Sequence, residues 1–522
     1  MQRRQHRLIG FGFLCVALFI SGCSEKKPFK PLITAAVDRT AHTEIFSVGY
    51  RGISEKYIEP VSVADIALGG LQGFSSIDPA LQVTRDGELI HLRMSGKSIH
   101  STSIRPANDS AGWANVTTQF EQYAKSHSRL MNEASDEKIF EAVFDGILSD
   151  LDVFSRYAGA EEARRNRARR DGFGGIGIRF KLKNGKPVVT KVIPETPAAT
   201  AGLKMDDEIT HIDGHVLLNS KVQEIVRKLR GPTLSEVRLR VYRAAIDRNI
   251  DVVMERMHIV PTTVKASVQN GIATLKISSF NQATSRSVAK ELRRAKRFTD
   301  SGLTGLILDL RGNPGGLLKQ SVKVVDLLLT HGQILSTRGR HPDSLHHYEA
   351  GGRDMSGGIP IAILVDGKSA SASEIVAAAL QDRGRAAIIG TSSFGKGTVQ
   401  TVIRLPNDGE VTLTWSRFIT PSGYALHGLG VRPAICTSGQ SSGSGRSIRS
   451  EIREAQKTRA VFASWRSAAF EAKDKRKSLR STCISERRTG DSDLKVARIL
   501  LSDPALYTQT LEITGTPSQA QK

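Results

Sequence analysis

The sequence predicts an α/β core that carries a small inserted domain of mixed strands and helices, with helical extensions at both ends of the chain. Between Gly271 and Pro433, short apolar runs alternate with helical stretches, which is typical of an α/β core. Between Asp171 and His258, short strands, one helix and several glycine turns indicate a separate small domain. Helical periodicity on both sides of these segments predicts the extensions.

The remaining elements complete the predicted organisation. An apolar-periodic stretch from Ile58 to Leu71 and a helix from Asp136 to Leu151 flank short strands between Gln82 and Met94. The predicted core strands are Ala273 to Ile277, Gly305 to Leu310, Ile359 to Val365 and Ala386 to Ile389. We divide the chain into a signal segment (1–22), an N-terminal region of unknown role (23–135), a helical segment joining the core (136–170), the small domain (171–258), the core (259–436), and a linker with a basic tail (437–522).

The first 23 residues have the pattern of a bacterial secretory signal. A basic start precedes the apolar run Leu8 to Ile20, which is too short to span a membrane as a helix. Ile20-Ser21-Gly22-Cys23 resembles the lipobox, in which the cysteine is lipidated and becomes the first mature residue. We therefore expect a periplasm-facing lipoprotein of the cell envelope, and Ser24 favours the outer over the inner membrane. A plain signal peptide and an uncleaved anchor are the alternatives.

The chain is strongly basic, with a formal charge of +22 over 522 residues. In a secreted protein, anionic lipid surfaces or cell-wall polymers are the expected counterparts rather than nucleic acid, and a solvated basic surface is the simpler explanation. Part of the excess lies between Ser442 and Arg480, where 11 Lys or Arg face 4 Asp or Glu. We predict a basic tail there, helical from Ile448 to Lys475.

The cysteines are few and their expected fates differ. Cys15 would leave with the signal and Cys23 would carry lipid, so Cys436 and Cys483 remain. Disulfides persist outside the cytosol. A Cys436–Cys483 disulfide that pins the tail to the core and a pair of free thiols both stay open.

The small domain resembles a PDZ domain. The resemblance rests on the glycine loop Phe173-Gly174-Gly175-Ile176-Gly177-Ile178, the run from Ala201 to Ile209, Ile212-Asp213-Gly214 and a helix from Ser220 to Leu229. It implies that a peptide C-terminus adds as a strand beside the loop, with its carboxylate bound by the amides of Gly175, Ile176, Gly177 and Ile178. A domain kept only as a gate or spacer is the alternative.

A serine and a lysine in two core motifs are candidates for a hydrolytic dyad. Ser371 precedes a predicted helix from Ala372 to Gln381, and Lys396 lies between two glycines 25 residues later. A serine hydroxyl needs a base, and a lysine base must be neutral, which requires burial or a neighbouring cation. Gln400 is placed to orient the lysine amine by hydrogen bonding. An N-capping serine and a surface lysine are the ordinary alternatives.

Backbone amides near Ser371 predict an oxyanion hole. The strand that ends at Leu310 runs into Arg311-Gly312-Asn313-Pro314-Gly315-Gly316, a tight turn with exposed N–H groups. The start of the following helix also favours negative charge. We predict that the amide of Ala372 and that of Gly315 or Gly316 stabilise the oxyanion.

Four motifs together resemble the C-terminal processing peptidases, or tail-specific proteases, of family S41. They are Asp309 to Gly316, Ser369 to Val376, Leu380 to Arg385 and Phe394 to Gln400, and the resemblance runs from about Asp136 to Pro433. It implies a ClpP/crotonase-like β/α core with Ser371 as nucleophile, Lys396 as general base, Gln400 in support and a contribution from Asp382. Ala434 departs from the family pattern, where an acidic residue is common.

The resemblance also implies what the enzyme acts on. It would be a serine endopeptidase that cleaves protein or peptide substrates with apolar ends near their C-termini, recognised by the PDZ domain. No metal, cofactor or nucleic acid is expected. An adaptor lipoprotein or a second copy of the chain are the expected further partners.

Two other patterns compete with this interpretation. One is the G-x-S-x-G pattern of a nucleophile elbow, which occurs at Gly439-Gln440-Ser441-Ser442-Gly443 but lies in a Ser/Gly linker. His341, His346, His347 and Glu349 could bind a metal, yet their spacing matches no ligand motif. Two rival functions remain: a PDZ adaptor with an inactive core, and a structural lipoprotein that grips the cell wall through residues 437–522.

Overall fold

The computed structural model describes residues 39–299, 302–439 and 459–514. The signal segment, Cys23 and Ser441 of the competing motif lie outside these residues. In the part of the chain that is described, no helix has the length and apolar character needed to cross a membrane.

The N-terminal region is a helical unit with a small antiparallel sheet. Its core buries large side chains such as Phe46, Tyr50, Trp113 and Phe120. The predicted helix near Ile58–Leu71, the short strands and the helix at 136 are all present, with shifted ends. The elements are α1 (Arg39–Lys56), α2 (Val63–Gln72), β1 (Leu81–Asp86), β2 (Leu89–Met94), β3 (Lys97–Ser103), α3 (Ser110–His127), α4 (Arg129–Glu133) and α5 (Asp136–Ser149).

The small domain predicted between Asp171 and His258 follows a short strand and a helix. Its strands pair in the order β11-β10-β8-β7-β6, and β5 pairs separately with β12. Its own core contains Ile176, Val189, Ile209, Ile225 and Leu239. The elements are β4 (Arg156–Ala158), α6 (Ala160–Arg170), β5 (Phe173–Gly175), β6 (Ile178–Lys183), β7 (Lys186–Val192), α7 (Pro197–Thr200), β8 (Glu208–Ile212), β9 (His215–Val216), α8 (Val222–Leu229), β10 (Glu236–Arg243), β11 (Arg248–Glu255) and β12 (Met257–Ile259).

The core is a largely parallel sheet ordered β13-β14-β15-β18-β19-β22, in which only β13 runs antiparallel to its neighbour. Every residue of β15, β18 and β19 is buried, as expected for parallel strands covered on both faces. The core elements are β13 (Val264–Gln269), β14 (Ile272–Ile277), α9 (Thr284–Arg297), β15 (Gly305–Asp309), α10 (Leu318–Asp326), β16 (Gly332–Gly339), β17 (His346–Ala350), β18 (Ile361–Val365), α11 (Ala372–Asp382), β19 (Ala387–Gly390), β20 (Thr398–Arg404), β21 (Glu410–Ile419) and β22 (Ile435–Cys436).

A second sheet, ordered β17-β16-β21-β20, links the core to the rest of the chain. Strand β4, which precedes the small domain, pairs with β21, so the chain leaves the core sheets, forms the small domain and returns. Side chains of β20 and β21 also enter the core of the N-terminal unit, among them Ile403, Val411 and Leu413. The N-terminal unit is therefore packed on the sheet that follows Lys396.

The C-terminal segment differs from the prediction of a basic tail. The first part of the helix predicted from Ile448 to Lys475, residues 448–458, lies outside the described residues. From Arg459 to Lys475 the structure has α12 and the start of α13 with a break between them instead of one helix, and two further helices follow. Helices α14 and α15 cover one face of the core sheet, where Leu500 and Tyr507 pack with Ile307 and Leu364. The four helices are α12 (Arg459–Arg466), α13 (Lys473–Ser481), α14 (Ser492–Leu501) and α15 (Pro504–Thr514).

Basic residues of this segment point inward and bind backbone carbonyls. Arg476 donates to the carbonyls of Ala425 and His427, and Arg480 donates to those of Leu429 and Ser393.

Of the two alternatives for the cysteines, the structure contains the disulfide, which joins Cys436 of β22 to Cys483 just after α13. Residues 459–514 thus belong to the folded core.

We predict that α14 contributes to global stability. Leu500→Ala should lower the free energy of unfolding by about 2–5 kcal/mol, because Leu500 is fully buried against the sheet. Ile499→Ala on the same helix is the matched control, since Ile499 is 45% exposed, and it should cost less than about 1 kcal/mol. Urea unfolding of both variants measures the difference. Equal, small losses would mean that the helix does not cover the core in solution.

Candidate active site

Ser371 lies in a strained turn between β18 and α11. Its φ of 54° and ψ of −114° lie outside the regions that L-residues prefer, which costs on the order of 1–3 kcal/mol. Gly315 approaches this turn so closely that an added Cβ would lie 2.9 Å from the Cβ of Ser371. The turn sits beyond the carboxyl ends of β15 and β18, where open α/β sheets bind their ligands.

The buried carboxylate of Glu374 connects the serine turn to the lysine loop. One of its oxygens, Oε2, accepts from the backbone N–H of Ser371 at 2.8 Å and from that of Lys396 at 2.9 Å. The other oxygen accepts from the Ser393 hydroxyl and from the N–H of Gly395 at 2.7 Å. Ser371 and Lys396 are therefore brought together through a single carboxylate.

The loop that carries Lys396 depends on its glycines. Gly395 has a φ of 92°, which an L-residue rarely adopts. A Cβ on Gly397 would lie 2.2 Å from the backbone nitrogen of His427, so only glycine fits there. The two glycines let the lysine loop pass close to the backbone on both sides.

Half-buried Lys396 is in an environment that favours its neutral form. Burial and the nearby Arg156 guanidinium lower the pKa of Lys396 below its ordinary value, against the opposing effect of Asp152 and Glu374. Its Nζ lies 4.8 Å from the centre of the Phe154 ring. These are the two conditions, burial and a neighbouring cation, that the sequence required of a lysine base.

Gln400 does not orient the lysine in this structure. Its Nε2 donates to Thr398 Oγ1 at 2.9 Å and to Thr414 Oγ1 at 3.5 Å, and no hydrogen bond joins it to Lys396 within the described residues. Thr414 in turn donates to Asp152, one of the groups that act on Lys396. Gln400 is thus one step removed from its predicted partner.

Asp382 lies away from the dyad. It is the last residue of α11, whose 11 residues carry it about 16 Å from the end that bears Ser371. Its carboxylate is buried, accepts from the backbone and hydroxyl of Ser422, and forms an ion pair with Arg466 at 3.0 Å. In this structure Asp382 fastens α11 to α12, and its contribution to the chemistry stays a prediction.

The predicted oxyanion hole retains two of its three amides. The N–H of Gly315 donates to the Asn313 side chain at 2.9 Å and is not available. In the described part of the chain, the N–H groups of Ala372 and Gly316 have no hydrogen-bond partner. Ala372 with Gly316 is the pair that fits the prediction.

Several residues of the site had no assigned role in the sequence. Glu374 lies inside the motif from Ser369 to Val376. Its position three residues after the serine that starts a helix is the capping-box signal that could have identified it. Arg156 and Phe154 lie more than 200 residues upstream of Lys396, so no local pattern indicated them. His427 is half-buried beside Phe154, with a pKa lowered by burial and by surrounding cations.

The PDZ loop keeps amides available for a ligand. The carbonyls of Ile176 and Gly177 accept from Ala198 and Ile193, while among the described residues the two N–H groups have no partner. Beside them is an apolar pocket of about 100 Å³ lined by the whole predicted set, Gly175, Ile176, Gly177 and Ile178, together with Phe180, Val226 and Leu229. The loop has the donors and the pocket that a peptide C-terminus requires.

The candidate metal ligands are engaged otherwise. His346 stacks on Tyr348, and His347 pairs with Glu349 at 3.0 Å, on an exposed strand. A different group, His42, Glu121 and Asp136, lies close enough together to hold a metal ion. Lys125 bonds both of those carboxylates, at 2.9 and 3.2 Å, so an ion-pair network accounts for the cluster.

Comparison with known proteins agrees with this geometry. Residues 271–437 match the model of peptidase family S41 and residues 174–254 match that of the PDZ domain. A carboxy-terminal-processing protease of Bartonella bacilliformis is 37% identical over 340 residues, covering 65% of this chain and 78% of that protein. A probable CtpA-like serine protease of Staphylococcus aureus is 29% identical over 326 residues, covering 62% and 64%.

Among solved structures, the photosystem II D1 C-terminal processing protease is 22% identical, covering 75% of this chain and 92% of that one with a TM-score of 0.38. The fold and the site define a serine peptidase that carries a PDZ domain. The chain belongs to peptidase family S41, among the carboxy-terminal-processing proteases.

We predict that Arg156 sets the pH dependence of activity. A lysine base acts only when deprotonated, so kcat/KM should rise with pH through the pKa of Lys396. Arg156→Gln removes a cation that lowers this pKa, so the rising limb should move to higher pH. Arg404→Gln, at the far end of β20 and about 20 Å from its first residue Thr398, removes the same charge and should leave the limb in place. A profile that Arg156→Gln does not move would exclude this electrostatic role.

Proposed function

We propose that this protein is a serine endopeptidase with a Ser371–Lys396 dyad that cleaves proteins near their C-termini. The observation that carries the proposal is the shared oxygen of Glu374, which binds the backbone of both residues. The lowered pKa of Lys396 and the two unengaged amides at Ala372 and Gly316 support the same chemistry.

The reaction follows from these positions. Neutral Lys396 takes the proton of the Ser371 hydroxyl as its oxygen attacks the scissile carbonyl carbon. The resulting oxyanion is stabilised by the amides of Ala372 and Gly316, and the lysine ammonium returns its proton to the leaving amine. Water then attacks the acyl-enzyme with Lys396 again as base, which releases the acid and restores Ser371.

The PDZ domain is proposed to select the substrate. Its open amides at Ile176 and Gly177 suit a terminal carboxylate, and the adjacent apolar pocket suits an apolar last residue. The chain end would pair beside β6 as an added strand. Periplasmic proteins with apolar C-termini are therefore the proposed substrates.

We predict that cleavage requires both dyad residues. An unstructured protein with an apolar C-terminus should be cut by the chain without its signal and lipid anchor, residues 24–522. Activity should fall at least about 1000-fold in Ser371→Ala and in Lys396→Ala. Lys368→Ala is the matched control, since Lys368 is exposed in the same motif as Ser371, and it should keep full activity. Gel analysis with mass spectrometry of the products gives rates and cleavage positions.

His427→Ala separates two possible bases. Loss of activity in this variant with activity retained in Lys396→Ala would overturn the dyad. Equal cleavage by all variants would identify a contaminating protease. Amidating the substrate C-terminus tests the PDZ role separately, because it should raise KM without changing the chemistry at the cut bond.

The chain is further proposed to be a lipoprotein of the bacterial envelope that faces the periplasm, with its lipid on Cys23, and to reside in the outer membrane. The lipobox-like run before Cys23 supports this proposal.

We predict that Cys23→Ser moves the protein from the membrane to the soluble fraction on cell fractionation, with Ser24→Ala as the control that stays with the membrane. A Cys23→Ser protein that remains in the membrane fraction would indicate an uncleaved anchor.

A further inference from the structure

A basic cleft lies between helix α6 and helix α8 of the PDZ domain. It has a volume of about 1010 Å³, and seven Lys or Arg side chains against two Glu line it. Helix α6 forms one wall and is fixed to the protease sheet, because Arg167 and Arg170 both bond the buried Glu410 of β21. Helix α8 forms the other wall.

Several of these cations have no acidic partner in the described structure. Arg165 is paired with Glu161 at 2.6 Å, and Arg167 with Glu410. Arg169 on one wall, and Lys221 and Arg227 on the other, form no ion pair with the described residues. Unpaired cations that face one another across a cleft favour an anionic ligand between them.

The cleft is continuous with the peptide-binding pocket. Phe173, Val226 and Arg230 line both, and the Arg230 guanidinium stacks 3.8 Å above the Phe173 ring at the boundary. Val222 and Val226 are one helical turn apart on α8 and both line the cleft. A peptide anchored by its last residue in the pocket and running along α8 therefore passes the unpaired cations.

We propose that this cleft binds a run of acidic residues directly upstream of the apolar C-terminus of the substrate, so that the enzyme prefers acidic tails. The proposal rests on the PDZ domain capturing C-termini, as proposed above. A peptide fits better than a lipid headgroup or an acidic glycan, because only a peptide occupies the apolar pocket and the basic cleft at once. Each residue of an extended peptide advances about 3.3 Å, so the acidic run lies within a few residues of the end.

The test uses labelled peptides and the catalytically inactive Ser371→Ala chain, residues 24–522. The peptides share four apolar C-terminal residues, preceded by four glutamates or by four glutamines. Fluorescence anisotropy should give a Kd about tenfold lower for the acidic peptide at about 0.05 M salt, with the difference largely lost at about 0.5 M. Arg169→Gln combined with Arg227→Gln should weaken acidic binding about threefold to tenfold and leave the glutamine peptide unchanged.

The matched control is Arg286→Gln combined with Arg293→Gln on α9, which removes two exposed charges elsewhere and should change neither Kd. Equal affinities for the two peptides would overturn the proposal while leaving PDZ capture intact. PDZ capture of C-termini would instead be overturned if neither peptide binds, or if amidating the C-terminus of the glutamine peptide leaves its Kd unchanged. Two further outcomes would show a general anion site and would also overturn the proposed preference for acidic tails. In the first, the acidic peptide still binds when its C-terminus is amidated. In the second, vesicles of anionic lipid, which offer no peptide C-terminus, displace the acidic peptide.

Discussion

The carboxylate of Glu374 is the constraint on which the site depends. It is fully buried, and burial raises its pKa, while its hydrogen bonds to Ser393, Gly395, Ser371 and Lys396 favour the charged form. A buried carboxylate without these donors would be costly, so the charge holds the serine turn and the lysine loop together. The strained backbone of Ser371 persists because this carboxylate fixes its N–H on one side and α11 fixes it on the other.

The C-terminal helices support the same loop from outside. Arg480 binds the carbonyl of Ser393, whose hydroxyl in turn donates to Glu374, and the disulfide at Cys483 fastens the chain three residues further on. The basic residues that made this segment look like a solvated tail satisfy backbone carbonyls beside the lysine loop. The segment therefore contacts the lysine loop as well as covering one face of the sheet.

The sequence predicted the parts of this structure that local patterns encode. The core strands, the helix after Ser371 and the helix at 136 follow from apolar periodicity and turn residues, and Ser371 and Lys396 stand in motifs of high specificity. The features that the sequence did not predict depend on contacts between residues far apart in the chain. Asp382 entered the predicted site only through the family resemblance, and the length of α11 places it away from Ser371. The packing of α14 on the sheet involves strands more than 100 residues earlier in the chain, so no local pattern indicated it.

One short segment serves both functional regions. The residues from Asp152 to Phe173 begin with the groups that act on Lys396, continue through β4 on the protease sheet and α6 along the basic cleft, and end at the glycine loop of the PDZ domain. Because Glu410 anchors α6 to β21, one wall of the cleft belongs to the protease and the other, α8, belongs to the PDZ domain. An acidic ligand between these walls would draw the two units together, since it neutralises cations that otherwise repel across the cleft. If acidic tails bind there as proposed, the arginines of α6 would couple substrate charge to the placement of the PDZ domain against the protease core.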